Sequence, residues 1–143
     1  MSELTEEQRH QLPEKEDKSK YTFMIVDDSE FMVNNLKRII TSFGGEVVMT
    51  ATNGAAAVLK YQALPVKPDL ITMDLTMPDM GGSSAIAMIM KDNPHQRIVV
   101  VSALGHKEAI QDAIMKGAKH FIVKPFQRDN VYKIFRAVLT GKA

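Results

Sequence analysis

The chain contains no cysteine and no tryptophan among its 143 residues. Without Cys, a disulfide framework and a thiolate metal site are both excluded. It also lacks a surplus of charge of either sign: 18 basic residues stand against 17 acidic ones, a formal net charge of +1. A protein that coats nucleic acid needs a strong positive excess, so that class is disfavoured. No apolar run approaches the roughly 20 residues that span a bilayer. In residues 1–20 the only Leu, Ile, Val or Phe are Leu4 and Leu12, so the apolar region of a signal peptide is missing. The expectation is a cytoplasmic protein with neither nucleic acid nor membrane as a partner.

What is present is ordinary for a globular domain. Hydrophobic residues make up 45% of the chain, too many for a disordered one. The length suits one domain with a short tail, large enough to bury its own core. Residues 1–20 hold six acids and four bases and read as a polar tail, either solvated or serving as a docking arm. Within it Thr5 and Gln8 could form a capping box for a short helix that Pro13 would end. The expected domain runs over residues 21–143.

From Tyr21 onward, apolar runs alternate with helical patterns five times. Expected strands are Phe23–Val26, Val47–Met49, Leu70–Asp74, Ile98–Ser102 and Phe121–Lys124. The first helix, with apolar Met32, Leu36, Ile39, Ile40 and Phe43, stops at Gly44-Gly45. A second covers Asn53–Ala63. A third, Ser83–Lys91, is expected to be capped by Ser83 or Ser84. A fourth, Lys107–Lys116, ends at Gly117. The last carries Val131, Ile134, Phe135, Val138 and Leu139 at helical spacing. Strands that are continuous apolar runs belong to a parallel sheet covered by helices on both faces, an α/β fold. The methionines Met73, Met77, Met80, Met88, Met90 and Met115 read as core and loop packing.

The polar residues fall at the carboxyl ends of the strands: Asp27-Asp28, Asp74, Ser102 and Lys124. In an open α/β sheet that edge is where ligands bind. Singly, each has a plainer reading. Asp28 or Ser29 can cap a helix, Asp74 can sit in a turn, Ser102 can close a strand, and Lys124-Pro125 can form an ordinary strand exit. Together they make a phosphoryl-transfer site. Clustered carboxylates repel unless cations intervene, and Mg²⁺ is a natural partner for one or two of them plus a phosphate. A further carboxylate is free to act as nucleophile. A lysine and a serine can meet the phosphoryl oxygens. His95, His106 and His120 lack metal-ligand spacing and read as surface or loop residues.

The segments Val26-Asp27-Asp28-Ser29, Met73-Asp74-Leu75-Thr76-Met77-Pro78, Val101-Ser102-Ala103 and Val123-Lys124-Pro125-Phe126 resemble the four signature segments of the response-regulator receiver family. The resemblance covers residues 21–140. It implies a flavodoxin-like (βα)5 doubly wound sheet in the order 2-1-3-4-5, as a single domain. It implies Asp74 as phosphoacceptor, and Mg²⁺ held by Asp28, Asp74 and the backbone carbonyl of Thr76, with Asp27 acting mostly through water. Lys124 would bridge to the phosphoryl group, Ser102 would be the switch hydroxyl, and Phe121 the switch aromatic, with Ala103 in the moving loop. There are departures. Gly81 stands where the family often has an acid or amide, and Phe121 replaces a commoner tyrosine. Thr76 and Leu104 occupy positions that tune phosphoryl lifetime in the family.

The expected output is protein binding through the last two helices and the fifth strand. Residues 104–143 carry eight basic and three acidic side chains, either a solvated face or a docking face for an acidic helix. With no chain after Ala143 for an output domain, a stand-alone receiver is expected, similar to chemotaxis regulators of the CheY type and more weakly to their spirochaete members. The partners this implies are a CheA-like histidine kinase, a flagellar motor switch protein and a phosphatase. A phosphorelay intermediate or phosphate sink is the alternative. The chain is expected to catalyse only its own phosphorylation and dephosphorylation. A phosphatase with an aspartate nucleophile would need an acid two residues after Asp74, where Thr76 stands.

Overall fold

The period-2 alternation of a strand sends neighbouring side chains to opposite faces of a sheet, and it divides the core of this chain in two. Phe23, Ile25, Leu70, Val99, Val101 and Ile122 belong to one apolar cluster; Met24, Val26, Ile71, Met73, Ile98 and Val100 belong to the other. The computed structural model describes residues 10–77, 81–103 and 105–141. Its elements, in order, are β1 (Thr22–Val26), α1 (Glu30–Ser42), β2 (Glu46–Ala51), α2 (Gly54–Ala63) and β3 (Leu70–Asp74). They continue as α3 (Gly82–Asp92), β4 (Arg97–Ala103), α4 (Lys107–Met115), β5 (His120–Lys124) and α5 (Arg128–Thr140). The five strands form one parallel sheet in the order β2-β1-β3-β4-β5. This is the flavodoxin-like doubly wound fold expected from the sequence.

The first cluster is closed by α1 and α5, through Leu36, Ile40, Phe43, Val131, Ile134, Phe135 and Leu139. The second is closed by α2, α3 and α4, through residues such as Val58, Tyr61, Ile86, Ile89 and Ala113. The central strands β1, β3 and β4 are buried almost throughout. The edge strands are not. On β2 and β5, Val48 and Phe121 are 39% and 40% exposed, because a strand at the edge of a doubly wound sheet loses cover from one side.

The N-terminal caps expected from the sequence form with one exception, and α4 and α5 open without any side-chain cap. Ser29 caps α1 by accepting from the Met32 N–H at 3.3 Å, which leaves Asp28 free of the capping role. Gly44, at φ +85°, ends that helix, and the Gly45 N–H reaches back to the Ile40 carbonyl at 3.0 Å. Asn53 caps α2 through the Ala56 N–H at 2.7 Å. The exception is α3. Its cap is Gly81 with no side-chain hydrogen bond, so neither Ser83 nor Ser84 does the capping expected of it. Ser83 lies inside the helix and donates instead to Asp112 on α4.

Residues 10–20 are largely exposed but are anchored to the domain at several points. The Leu12 N–H bonds to the Phe43 carbonyl at 2.9 Å, and its side chain packs on the α1–α5 cluster. Gln11 Nε2 donates to the Ser42 carbonyl at 2.7 Å. Lys15 pairs with Asp69 at 3.1 Å, and His10 stacks on Tyr132 with ring centroids 4.6 Å apart. The capping box of Thr5 and Gln8 lies outside the described residues. A chain beginning at Lys20 is expected to lose about 1–3 kcal/mol of unfolding free energy, from one half-buried leucine and a partly buried ion pair. Urea denaturation checks this, and an unchanged midpoint would show that the strap contributes nothing.

Candidate functional site

Strand phase also decides which way the polar residues face. Asp27 follows Phe23 and Ile25, Asp74 follows Leu70, and Lys124 follows Ile122, all on the α1–α5 side of the sheet. Ser102 follows Ile98 and Val100, on the side of α2, α3 and α4. In the pairing of β1 with β3, Val26 lies opposite Met73, so Asp27 and Asp74 emerge level with each other. In the pairing of β4 with β5, Ala103 lies opposite Lys124. The order of the strands reverses between β1 and β3, the position at which open α/β sheets form their crevice.

The Lys124 ammonium donates to Asp27 Oδ2 at 3.1 Å and lies 3.8 Å from Asp74 Oδ1. Asp27 and Asp74 are each 1% exposed. Asp27 Oδ1 accepts the Ser29 N–H at 2.9 Å. Asp74 Oδ1 accepts from the Thr76 N–H at 3.2 Å and the Thr76 hydroxyl at 3.1 Å. Asp74 Oδ2 has no hydrogen-bond partner among the described residues. Asp28 is exposed at the mouth. Oxygens of Asp27, Asp28 and Asp74 all lie within 4.8 Å of one another.

Burial pushes the Asp74 carboxyl above its usual range. The Thr76 N–H opposes this, the charge of Asp27 adds to it, and Lys124 draws it back down. Three carboxylates thus share one ammonium, and the donors are all hard oxygens. Such a set fits a hard divalent cation such as Mg²⁺. The three aspartates and Lys124 are therefore brought together as the strand-end pattern implied, and Asp28 completes the acidic rim.

The remaining expected residues make no hydrogen bond or ion pair with this cluster among the described residues, although Ser102 directly follows Val101, the partner of Asp74 in the sheet. Ser102 is fully buried, with its hydroxyl 3.1 Å from His106 Nδ1. Ala103 is exposed. Phe121 is exposed too, at the rim of an apolar cavity of about 350 Å³ that Ala103, His106, Ile110 and Val123 also line. Leu104 lies outside the described residues. The basic face is narrower than its composition suggests. Lys116 is bound to Asp112 and Ser83 at 2.9 and 2.7 Å, Lys124 belongs to the acidic site, and Arg128 sits over the Phe43 ring at 4.7 Å. Lys107, Lys119, Lys133 and Arg136 are left without an ion pair among the described residues.

Two functional positions were not singled out from the sequence. Gly82 allows α3 to begin against β3, since a Cβ there would lie 2.1 Å from the Asp74 carbonyl oxygen. A glycine so soon after the acid of a strand end is the signal that could have found it. His106, read as a loop residue, holds the Ser102 hydroxyl, and one-dimensional spacing carries no sign of that.

A family model described as "Response regulator receiver domain" matches residues 23–136. The chain is 51% identical over 115 residues to the chemotaxis protein CheY of Thermotoga maritima, spanning 80% of this chain and 94% of that protein. It is 41% identical over 119 residues to the chemotaxis protein CheY of Treponema pallidum, spanning 83% of each. A crystal structure of the CheX–CheY–BeF3–Mg complex from Borrelia burgdorferi is similar at a TM-score of 0.82 and 38% identity, covering 87% of this chain and 94% of that one.

The raised Asp74 carboxyl has a consequence for stability. The folded protein holds that proton more tightly than the unfolded chain does. The resulting stabilisation is complete below the unfolded value of about 3.9 and is lost as pH rises through the higher folded value. Without divalent cations, Asp74→Asn is therefore expected to be the more stable protein at pH 7. The gain should be on the order of 1 kcal/mol, or about 4 °C in Tm. It should shrink toward zero near pH 4. Calorimetry from pH 4 to 8 in EDTA checks both the sign and the trend.

Proposed function

The chain belongs to the response-regulator receiver family, and from that premise we propose that it is a cytoplasmic chemotaxis signalling protein switched by phosphorylation of Asp74. The observation that carries this reading is the state of the Asp74 carboxylate. It is buried at the end of β3, with Oδ1 held by Thr76 and facing Lys124, and with Oδ2 free of hydrogen-bond partners among the described residues. Oδ2 is the nucleophile. The phosphoryl group passes to it from a phosphohistidine of a CheA-like kinase; the P–N bond breaks as the P–O bond forms, and the imidazole leaves. Lys124 is close enough to follow the new negative charge, because it already bridges Asp27 and Asp74. Asp27, Asp28 and Asp74, with the Thr76 carbonyl, would hold Mg²⁺, which supplies neutralisation of the phosphoryl oxygens.

Phosphorylation adds about −1.5 to −2 charge at this edge. Ser102 is the nearest hydroxyl on the neighbouring strand, and its displacement would pass to Ala103, the start of α4 and Phe121. The reader surface is then α4, β5 and α5, with Lys107, Lys119, Lys133 and Arg136 available to an acidic helix of a flagellar motor switch protein. A phosphatase would return the protein to its resting state. On this reading the chain catalyses only its own phosphorylation and dephosphorylation.

Incubation with acetyl phosphate and Mg²⁺ should add one phosphate by intact mass. Hydroxylamine should remove it, Asp74→Asn should never acquire it, and EDTA should slow it at least tenfold. A phosphate that persists in Asp74→Asn would refute the assignment. Reversing the charges of Lys119, Lys133 and Arg136 together should weaken binding of the phosphorylated protein to the motor switch protein at least tenfold, measured by titration calorimetry. Unchanged affinity would remove the basic face from the interface.

A further inference from the structure

Ser102 is wholly buried, and its hydroxyl has a single hydrogen-bond partner among the described residues, Nδ1 of His106 at 3.1 Å. A serine hydroxyl has one proton, and in a buried site its direction is set by whichever neighbour can receive it. We propose that His106 is a positioning residue that sets the direction of the Ser102 proton, so that the protein's response to phosphorylation depends on pH. This deepens the reading of Asp74 as phosphoacceptor and Ser102 as switch hydroxyl, and it rests on that reading.

The chemistry follows from two of the three forms of an imidazole, the neutral tautomer protonated at Nε2 and the doubly protonated cation. When neutral with Nδ1 unprotonated, His106 accepts the Ser102 proton. The hydroxyl then offers lone pairs, not a proton, toward the phosphorylation edge, and a phosphoryl oxygen meets an acceptor. When His106 is protonated, Nδ1–H becomes the donor and Ser102 Oγ accepts. The hydroxyl proton is released and can be donated to a phosphoryl oxygen. Histidine is the side chain that serves most often as a proton-dependent switch.

The surroundings allow it. His106 is half-buried and sits at the N-terminus of α4, where its side chain caps no backbone N–H. Gly105, at φ +97° with open space around it, turns the chain between strand end and helix. On α4 the charged neighbours are Lys107, which lines the same cavity, and Glu108 in the first turn. From β4 the facing residue is Ala103, and from β5 they are Phe121 and Val123, none of them ionisable. Lys124 faces the other side of the sheet, bonded to Asp27. Among the described residues His106 is therefore the ionisable side chain hydrogen-bonded to Ser102. His106 also lines the cavity beside Phe121, so a change in its bond to Ser102 reaches the reader surface through shared packing.

The test uses the full chain, isotopically labelled, with acetyl phosphate and Mg²⁺ from pH 5.5 to 8. The phosphorylated fraction is read by intact mass in the same samples. The quantity followed is the phosphorylation-induced NMR shift at Phe121 per phosphorylated molecule. In the wild type it should rise at least threefold as pH falls through the His106 titration seen in the same spectra. In His106→Gln, whose amide does not titrate, it should stay flat or fall, because the phosphoryl group itself gains a proton near pH ~6 and becomes a poorer acceptor. In the unphosphorylated protein, Ser102→Ala should move the His106 titration midpoint. A wild-type profile that coincides with that of His106→Gln overturns the proposal, as does a His106 titration indifferent to Ser102→Ala. A sample that takes up no phosphate overturns the phosphoacceptor reading instead. The Ser102→Ala comparison, which needs no phosphate, then still decides whether His106 governs the hydroxyl.

Discussion

One ammonium among three carboxylates is the constraint around which the carboxyl edge of the sheet is built. Lys124 reaches Asp27 at 3.1 Å and Asp74 at 3.8 Å, with Asp28 completing a group whose oxygens lie within 4.8 Å. A single positive charge cannot balance three negative ones at this separation, and two of the acids are shut away from water. The protein therefore holds an unsettled electrostatic state in its resting form. A divalent cation lowers that cost, and a phosphoryl group arriving with its own charge changes it again. The tight turn at Gly82, the Thr76 hydrogen bonds and the cap supplied by Ser29 all serve to hold these carboxylates where the conflict persists.

The sheet then divides the sensing of that state between its two faces. Asp27, Asp74 and Lys124 share the phase of the α1–α5 core, whereas Ser102 shares the phase of the core under α2, α3 and α4. A change at Asp74 is thus felt by Lys124 on one face and by Ser102 on the other. The second route leads to α4 and the cavity beside Phe121. The first leads to α5 and the strap of residues 10–20, which is tied down by Leu12, Gln11 and Lys15. One face is clamped and the other is free to respond.

How much of this was legible depends on the kind of signal. The three central strands are continuous apolar runs because both of their faces are covered, and the acids at their ends announce themselves by interrupting those runs. That pattern was enough for the fold, and for placing Asp27, Asp28, Asp74 and Lys124 at one edge. The helix boundaries set by Gly44, Asn53 and Gly117 were legible for the same local reason. The strap was not: its polar composition resembles a solvated tail, and its anchoring depends on a backbone bond to Phe43 and a ring stack on Tyr132. Ser83 looked like a cap because it precedes an apolar pattern, but its hydroxyl is drawn to Asp112 across the groove. His106 was invisible because its partner is a strand residue reached only after the chain turns at Gly105.

The weakness of α4 gives the arrangement its purpose. It is nine residues long and buries only Ala113, whereas α2, α3 and α5 each bury four residues. Elements with few buried apolar contacts open at low free energy. Moving a two-state population from 1:99 to 99:1 takes roughly 5.5 kcal/mol of differential stabilisation, more than a few surface contacts supply. A phosphoryl group bonded to one hydroxyl and one ammonium can approach that figure only if the responding element resists little. A well-anchored α4 would leave the chemistry at Asp74 intact and silence its readout. Firm packing of α1 and α5 alongside loose packing of α4 is therefore what the proposed switch requires.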